Sequence, residues 1–337
     1  MKRNPLIIKE LYQEWWFFEV LDAAHDLKFM ANCSINNPEN LDSPLPRGCD
    51  IASAIIVGEV TKSTSKEDSF MKQFEASDKS LDVNLESKIF FKAIDATRIR
   101  FWGTDPGTGV VADLTFSMNL PPWKERKTRV GGRFLDVMWY LPAMPSAYVN
   151  GTIRFEGKEY RVENGLGYHD HFWGSPTQFR WSPWVTVNNA DFEIISVVIP
   201  TKHDFAGGCI DKKTWIELGR PIFEPISWKQ DTATCFNYPN EFTIKSQTQR
   251  FKLEMHLKET GIHASFDGGM DEYKCPIIWS WNYMASGIVS RKEHGSWNVA
   301  KQFEKIPASI YYFDNFDFVA LAKQAGIDIS AYERFLK

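Results

Sequence analysis

The fold class follows from residues 147–162, which read Ala147-Tyr148-Val149-Asn150-Gly151-Thr152-Ile153-Arg154-Phe155-Glu156-Gly157-Lys158-Glu159-Tyr160-Arg161-Val162. The runs Ala147–Phe155 and Glu159–Val162 are rich in β-branched and aromatic residues, which favour strands. Glu156-Gly157-Lys158 supplies a turn between them. Two such runs joined by a short, glycine-containing turn predict a β-hairpin.

The same kind of pattern extends in both directions from this hairpin. Trp16–Leu21 and Leu27–Cys33 predict a second hairpin, and the polar residues Thr61–Ser69 predict a loop. Asp317–Ala325 has the periodicity of a helix and is followed by a glycine. Many short strands with few helices indicate sandwiches or barrels. We therefore expect an all-β chain of two barrel-like domains with a short C-terminal helix.

The boundary between the two domains is expected where the composition changes. Residues 121–145 are rich in Pro, Gly, Trp and Arg, unlike the strand-rich segments on either side. This predicts an N-terminal domain over residues 1–145 and a C-terminal domain over residues 146–337. The C-terminal domain would then carry the segment Tyr168–His171.

Composition excludes several classes of function. The 337 residues carry a formal net charge of −4, which argues against a nucleic-acid partner. The five cysteines form no Cys-x-x-Cys pair, so neither a zinc ribbon nor a disulfide framework is expected. No segment has the length of a signal peptide core or the roughly 18 apolar residues of a membrane helix. We expect a cytoplasmic protein without a transmembrane segment.

Aromatic residues make up 15% of the chain, including 13 Trp and 25 Phe. Large all-β proteins use aromatic side chains to fill their cores. A large apolar cavity for a hydrophobic ligand gives the same excess. Both interpretations remain open from composition alone.

The segment Gly165-Leu166-Gly167-Tyr168-His169-Asp170-His171-Phe172-Trp173-Gly174 concentrates the groups that can do chemistry. If it is extended, His169 and His171 point to one face, and Asp170 points to the other between Tyr168 and Phe172. Aromatic surroundings disfavour the charged carboxylate and raise the pKa of Asp170, which would make it a general acid. A structural hydrogen-bond network and a metal site at the two histidines are the alternatives.

Further aromatic residues could line a pocket. Trp279, Trp281 and Tyr283 alternate, which predicts that they share one face of one strand. They would either pack in the core or form a pocket wall that stabilises a carbocation by cation–π attraction. The chain has no dinucleotide fingerprint, P-loop, serine-hydrolase elbow or zinc-protease motif.

Two motifs together resemble a known family. Glu14-Trp15-Trp16-Phe17-Phe18 and Gly167-Tyr168-His169-Asp170-His171-Phe172-Trp173-Gly174 are similar to segments of the carotenoid 1,2-hydratase/AttH-like family, whose relatives include kievitone hydratase and decalin-forming fungal Diels–Alderases. The motifs lie about 150 residues apart, so the resemblance covers most of the chain.

The resemblance implies two lipocalin-like (calycin) β-barrel domains and cofactor-free chemistry on a polyene, isoprenoid or polyketide-derived substrate. Asp170 would protonate an alkene beside Tyr168, and His169 and His171 would orient Asp170 or its loop. No metal is expected. We expect the substrate to contact aromatic side chains from both halves of the sequence: Trp16, Trp139, Tyr140, Trp173, Trp181, Trp184, Trp279, Trp281 and Tyr283.

This chain departs from the family pattern at two places. Phe172 stands where the family has Asn, and Met138–Pro142 lacks a histidine that the hydratases carry near a comparable stretch. A more apolar pocket favours cyclisation over addition of water. A pericyclase that acts by holding a reactive conformer, and a non-catalytic lipid or isoprenoid carrier, are the alternatives. The predicted partner is a hydrophobic small molecule, and transient contact with a membrane is one route for its uptake.

Overall fold

The chain folds into β-strands. The computed structural model describes residues 13–36, 48–68, 74–76, 81–85, 88–105, 107–123, 128–129, 138–174, 178–179, 182–189, 191–197, 205–267, 276–313 and 316–317, and the structural statements below refer to these residues. Within them no helix is long and apolar enough to cross a membrane. The helix predicted for Asp317–Ala325 lies outside this part of the chain, except for Asp317, which ends a short strand.

Twelve strands precede residue 175: β1 (Gln13–Asp22), β2 (Leu27–Asn36), β3 (Gly48–Val57), β4 (Val60–Asp68), β5 (Phe74–Ala76), β6 (Asp82–Leu85), β7 (Ile89–Ala93), β8 (Arg98–Thr104), β9 (Val111–Met118), β10 (Thr128–Arg129), β11 (Met138–Phe155) and β12 (Lys158–Gly174).

Twelve more follow: β13 (Gln178–Phe179), β14 (Ser182–Asn189), β15 (Phe192–Val197), β16 (Phe205–Cys209), β17 (Trp215–Gly219), β18 (Pro221–Gln230), β19 (Asn237–Gln247), β20 (Phe251–Glu259), β21 (Ala264–Asp267), β22 (Pro276–Glu293), β23 (Ser296–Phe313) and β24 (Phe316–Asp317).

The strands form two large sheets with the same order of connections. The first runs β4-β3-β2-β1-β12-β11-β9-β8-β7-β6-β5, with β10 beside β11. The second runs β17-β16-β15-β14-β23-β22-β20-β19-β18, with β21 beside β22. In the first sheet β1 pairs with β12, the second strand of the long β11–β12 hairpin. In the second sheet β14 pairs in the same way with β23, the second strand of the long β22–β23 hairpin. The chain therefore contains an internal structural repeat, and β13 and β24 form a separate two-stranded sheet.

Each long hairpin turns through two residues with positive φ. Glu156 (φ 49°) and Gly157 (φ 76°) join β11 to β12, and His294 (φ 50°) and Gly295 (φ 86°) join β22 to β23. Positive φ at both central residues is the type I′ geometry, whose twist matches that of the flanking strands. The predicted turn at Glu156-Gly157-Lys158 is thus confirmed, and the hairpin it closes is longer than expected.

The domain boundary lies later than the composition indicated. The described residues up to Gln178, together with Asp317, form the first compact unit, and those from Phe179 to Phe316 form the second. The boundary predicted at residue 145 falls inside β11, and the segment Tyr168–His171 belongs to the first unit. Register shifts at Pro142–Met144 and Met144–Ala147 interrupt β11, so its prolines look like a linker although the strand continues.

Strand β4 occupies residues that were expected to form a loop. Val60–Asp68 pairs with β3 along its whole length, from Val57 opposite Val60 to Cys49 opposite Asp68. β4 is the outermost strand in the order of the first sheet. Edge strands often carry polar and lysine side chains, which discourage pairing with another chain. The Ser/Thr/Lys-rich composition of Thr61–Ser69 therefore fits an edge strand.

Strand β1 is buried on both faces. Trp16, Phe18 and Val20 join the hydrophobic core of the first unit. Trp15 and Phe17 on the opposite face are each only 9% exposed. Strands covered on both sides have near-continuous hydrophobic sequences instead of an alternating pattern. This accounts for the unbroken aromatic run at the start of the chain.

Candidate active site

The residues expected to do chemistry lie on β12, between β1 and β11. The register places Phe17 of β1 opposite Asp170, and Phe18 opposite His169. Phe18 belongs to the core of the first unit, so His169 shares the core-facing side of the sheet with it. Asp170 lies on the opposite side, called here the outer face. The predicted separation of Asp170 from the two histidines is confirmed.

His169 acts as a buried structural anchor. Its ring stacks on Phe18 with centroids 4.2 Å apart and planes inclined by 12°. Its Nδ1–H donates a hydrogen bond of 2.9 Å to the carbonyl oxygen of Phe17. Burial lowers the pKa of His169 to about 3, so the imidazole is neutral near pH 7. A neutral His169 with a committed Nδ1 fixes β1 to β12 and does not supply a proton.

His171 lies on the same core-facing side, nearer to the end of the strand. Its Nε2 is 2.8 Å from Oε1 of Glu14, and both side chains are about one-fifth exposed. Its ring stacks on Trp16 at 5.2 Å and contacts Trp173 at 4.7 Å. Glu14 orients the imidazole, a role that the sequence did not reveal. These contacts bring together Trp16, Trp173 and His171.

Asp170 occupies an aromatic environment on the outer face. The Tyr168 hydroxyl donates a hydrogen bond of 2.7 Å to Oδ2 of Asp170. Phe172 is fully buried and stacks on Trp15 with centroids 3.7 Å apart and planes inclined by 7°. Asp170 itself is only 3% exposed. Low exposure among rings disfavours the charged form of a carboxyl group, whereas the Tyr168 hydrogen bond favours it.

Two further polar residues on the outer face were not predicted. Glu19 is 1% exposed and lies opposite Tyr168 in the register. Asn32 lies opposite Phe17, and its buried Oδ1 accepts no hydrogen bond from the described residues. The sequence did contain a signal for Glu19. A glutamate within a strand of aromatic residues is expected to be buried, and a glutamate is seldom buried unless it has a partner. Its proximity to Tyr168 depends on pairing between segments about 150 residues apart.

The remaining predicted aromatic residues divide into two groups. Trp139 and Tyr140 pair with Trp173 and Phe172 in the backbone register, but their side chains lie outside the described structure, as does all of Trp181. Trp184, Trp279, Trp281 and Tyr283 belong to the second unit and are all buried there. These four residues are therefore in a different unit from Asp170.

The prediction that Trp279, Trp281 and Tyr283 share one face of β22 is wrong. A register shift between Ser280 and Tyr283 interrupts the alternation. Tyr283 lies in the core of the second unit, where its hydroxyl donates to the carbonyl oxygen of Pro239 at 3.1 Å. Trp279 pairs instead with Tyr311 and lies on the other side of the sheet. The bulge adds a residue, which reverses the facing of every residue after it.

The second unit repeats the strand pairing of the first unit but has no acidic residue at the place of Asp170. Strands β14 and β23 hold the places of β1 and β12 in the repeated order. Trp184 pairs with Tyr311 there, as Trp15 pairs with Phe172 in the first unit. Two residues further along, Thr186 pairs with Ser309, at the place of Phe17 and Asp170. When the two units are aligned on Trp15 and Trp184, only the first unit has an acidic residue, Asp170, at this position.

The second unit contains an ionic cluster that the sequence did not predict. His263 bonds through Nε2 to Asp231 at 2.8 Å and through Nδ1 to Glu259 at 3.1 Å. Glu259 also accepts hydrogen bonds from Lys229 at 2.7 Å and from Tyr238 at 3.1 Å. Burial by itself lowers the pKa of His263, but the two carboxylates outweigh it and the pKa is raised. Both ring nitrogens are occupied, so this cluster serves the fold.

A groove on the described surface lies away from Asp170. A surface groove of about 470 Å³ lies over the β11–β12 hairpin and is lined by polar residues that include Asn150, Arg161 and Glu163. It does not include Asp170. Among the described residues, no three histidine, cysteine or acidic side chains are placed to share a metal ion.

Comparison with known proteins identifies the fold. NE1406, an AttH-type protein from Nitrosomonas europaea, has a TM-score of 0.65 at 15% identity, covering 90% of this chain and 93% of its own. Kievitone hydratase from Nectria haematococca has a TM-score of 0.62 at 13% identity, with 91% and 90% covered. This chain has the AttH-type fold. The expected lipocalin-like, all-β architecture is confirmed.

A third structure with this fold is CghA, a Diels–Alderase, which has also been solved with Sch210972. Its TM-score is 0.56 at 11% identity, and the match covers 91% of this chain and 89% of CghA. No family model matches the sequence, and no curated protein is similar enough in sequence to match. At these identities, the likeness establishes the fold.

Proposed function

We propose that this chain is an enzyme that protonates an alkene of a hydrophobic polyene, isoprenoid or polyketide-derived molecule, with Asp170 as the general acid. The observation that carries the proposal is the nearly buried Asp170 carboxyl group, hydrogen-bonded by Tyr168 and flanked by the stacked pair Phe172 and Trp15. Kievitone hydratase and CghA, which have this fold, act on small molecules and support an enzyme of the hydratase or cyclase type.

The proton passes to the alkene from the Asp170 carboxyl group, whose Oδ2 accepts the Tyr168 hydrogen bond. One alkene carbon gains the proton and the other becomes a carbocation, while Asp170 becomes a carboxylate. The Tyr168 hydrogen bond strengthens as negative charge develops on Asp170, so it stabilises the transition state more than the ground state. A second alkene closes a ring on the cation, or water adds to it.

The neighbouring side chains suit a cationic intermediate. Trp15, Phe17 and Phe172 surround the acid with electron-rich rings, which attract a cation at their faces. They carry no basic group that would intercept the cation. His169 holds β1 in register beneath them through its hydrogen bond to Phe17. Oδ1 of Asn32, two strands from Asp170 and therefore about 10 Å away, is available to a hydroxyl group of the substrate.

The test is the substitution Asp170→Asn, compared with Asp113→Asn as a matched control. Asp113 is an exposed residue of the same unit, paired with Arg100, and lies outside the proposed site. Farnesol and lycopene are suitable first probes, as an isoprenoid alcohol and a polyene, together with any ligand that mass spectrometry finds in the natively purified protein. We expect Asp170→Asn to reduce turnover by about 10²- to 10⁴-fold. A folded Asp170→Asn variant with normal turnover would remove Asp170 from the mechanism.

A pericyclic reaction is the second candidate, and one feature favours it. Phe172 replaces the polar residue of the hydratase pattern and stacks on Trp15, so the outer face beside Asp170 is apolar. An apolar surface can hold a polyene in a reactive conformation without transferring a proton. Reaction in deuterated water distinguishes the two mechanisms, since protonation leaves deuterium on a product carbon and a pericyclic step does not.

A further inference from the structure

The outer face contains a second buried carboxyl group besides Asp170. Glu19 lies directly opposite Tyr168, and Asp170 is two residues further along β12. Side chains in this diagonal relation across an antiparallel pair are about 7–8 Å apart. Glu19 is 1% exposed and Asp170 is 3% exposed. Two carboxyl groups thus flank one tyrosine on this aromatic-rich face, and the buried Lys28, ion-paired with Asp26, lies diagonally across from Glu19 on the other side.

We propose that Glu19 is the general base that completes the reaction begun by Asp170. This inference rests on the proposed function. For hydration, the water oxygen bonds to the carbocation and one water proton passes to Glu19. For cyclisation, Glu19 removes a proton from the carbon beside the final cation, and the electrons of that C–H bond form the new alkene.

The pairing is supported by the cost of changing the net charge at a buried site, because an acid and a base together leave that charge unchanged. Two carboxylates near each other in a poorly solvated site repel, so ionisation of one disfavours ionisation of the other. In the form that reacts, the proton is on Asp170 and Glu19 is ionised. After reaction the proton is on Glu19, and Asp170 is the carboxylate that Tyr168 stabilises. The pair and the substrate together keep a net charge of −1 throughout, because the carbocation balances the second carboxylate while both groups are ionised, and a proton passing from Glu19 back to Asp170 restores the enzyme.

Tyr168 makes the two carboxyl groups inequivalent. Its hydroxyl donates to Oδ2 of Asp170 and lies across the strand pair from Glu19. A donor committed to one carboxyl group stabilises the negative charge there and makes that group the stronger acid. This asymmetry favours the state with the proton on Glu19, so the form with the proton on Asp170 is the less stable of the two and therefore the more reactive acid.

The experiment compares Glu19→Gln with Asp170→Asn and with the control Glu159→Gln, an exposed residue of the β11–β12 hairpin. Farnesol and lycopene are incubated with each variant in deuterated water, and both product and recovered probe are analysed by mass spectrometry. We expect Glu19→Gln to reduce product formation by about 100-fold while the recovered probe still gains deuterium through Asp170. Asp170→Asn should lose both signals, and Glu19→Asp should restore part of the turnover.

The two failures are distinguishable. Normal turnover by Glu19→Gln, with Asp170→Asn inactive, would overturn the role of Glu19 and leave that of Asp170 intact. Normal turnover by Asp170→Asn would overturn both.

A measurement without substrate covers the case in which neither probe reacts. Carbon-13 NMR of the labelled carboxyl groups should show the titration of Asp170 move to lower pH by about one pH unit in Glu19→Gln, because a neighbouring negative charge is removed. An unchanged titration of Asp170 would show that the two carboxyl groups do not interact, which would overturn the proposal.

Discussion

Tyr168 and Asp170 lie two residues apart on the outer face of β12, and the Tyr168 hydroxyl donates a hydrogen bond of 2.7 Å to Oδ2 of Asp170. The strand itself sets this contact, because residues i and i+2 point to the same face. Pairing with β1 then surrounds both residues with Phe17 and Trp15. Tyr168 and Asp170, two residues apart in the sequence, thereby form a polar contact surrounded by aromatic side chains.

Loss of this hydrogen bond should slow the reaction without stopping it. In Tyr168→Phe the Asp170 carboxylate that forms on proton transfer loses a donor worth about 1.5–3 kcal/mol. We expect kcat to fall by about 10- to 100-fold while KM changes little, measured with a substrate that the unaltered enzyme converts. Tyr160→Phe, at a ring that contacts His25, is the control. An unchanged kcat in Tyr168→Phe would mean that the hydrogen bond does not assist the acid.

The neutral state of His169 should appear as a dependence of stability on pH. Its pKa in the folded protein is about 3, against 6.5 for the free side chain. Below pH 6.5 the His169 imidazole is protonated in the unfolded chain but stays neutral in the folded protein. The free energy of unfolding therefore decreases as the pH falls towards 3. At pH 4.5 this amounts to about 3 kcal/mol.

His169→Asn isolates that contribution. Asparagine can still donate to the Phe17 carbonyl oxygen from a similar position, but it does not titrate. Urea unfolding at pH 7 and at pH 4.5 should therefore show a smaller loss of stability in the variant than in the unaltered protein. An equal loss in both proteins would show that His169 is not the group responsible.

Much of the site was accessible from local sequence patterns. Alternation along Tyr168–Phe172 correctly separated Asp170 from the histidines, because strand geometry alone decides which neighbours share a face. The turn at Gly157 was equally local. Glu19 and Asn32 were missed because their proximity to Asp170 arises from pairing between distant segments.

Two errors have a common physical cause. The prolines at 142 and 145 lie in the irregular part of β11, and a bulge follows Ser280 in β22. Bulges insert extra residues without ending the strand, so they disturb the period of two on which the predictions depended. At Pro142 this suggested a domain boundary. At Ser280 it placed Tyr283 on the wrong face.

The ionic cluster of the second unit should be most stabilising at mildly acidic pH. The pKa of His263 is raised above 6.5, so its contribution is complete below that value and is lost as the pH rises through the folded pKa. Burial alone would raise the pKa of Glu259, but His263 and Lys229 outweigh it and the pKa is lowered below 4.5. The contribution of Glu259 is therefore present above pH 4.5 and is lost as the pH falls.

The variant His263→Gln tests the pH range over which this cluster stabilises the fold. Removing the imidazolium leaves two poorly solvated carboxylates, Asp231 and Glu259, without their shared partner, at a cost of about 3 kcal/mol between pH 4.5 and 6.5. His256→Gln is the matched control, since His256 bonds to Glu241 on the surface and should cost less than about 1 kcal/mol. Denaturant titrations across pH measure both. Equal losses for the two variants would contradict a stabilising role for the cluster.

Phe172 should control whether water reaches the cation. It is fully buried and stacks on Trp15 beside Asp170. Phe172→Asn removes the ring and introduces an amide that can hold water, so a larger share of product should contain oxygen from solvent. The cavity and the lost stacking should lower the free energy of unfolding by about 3 kcal/mol.

Reaction in ¹⁸O-labelled water, followed by mass spectrometry, measures the fraction of hydrated product. Phe172→Leu is the control, because leucine also removes the stacked ring but stays apolar, and it should keep the product ratio of the unaltered enzyme. If Phe172→Asn remains folded and active and incorporates no additional ¹⁸O, then the ring at this position does not exclude water. In that case the choice between cyclisation and hydration would lie with other residues on the outer face, such as Asn32.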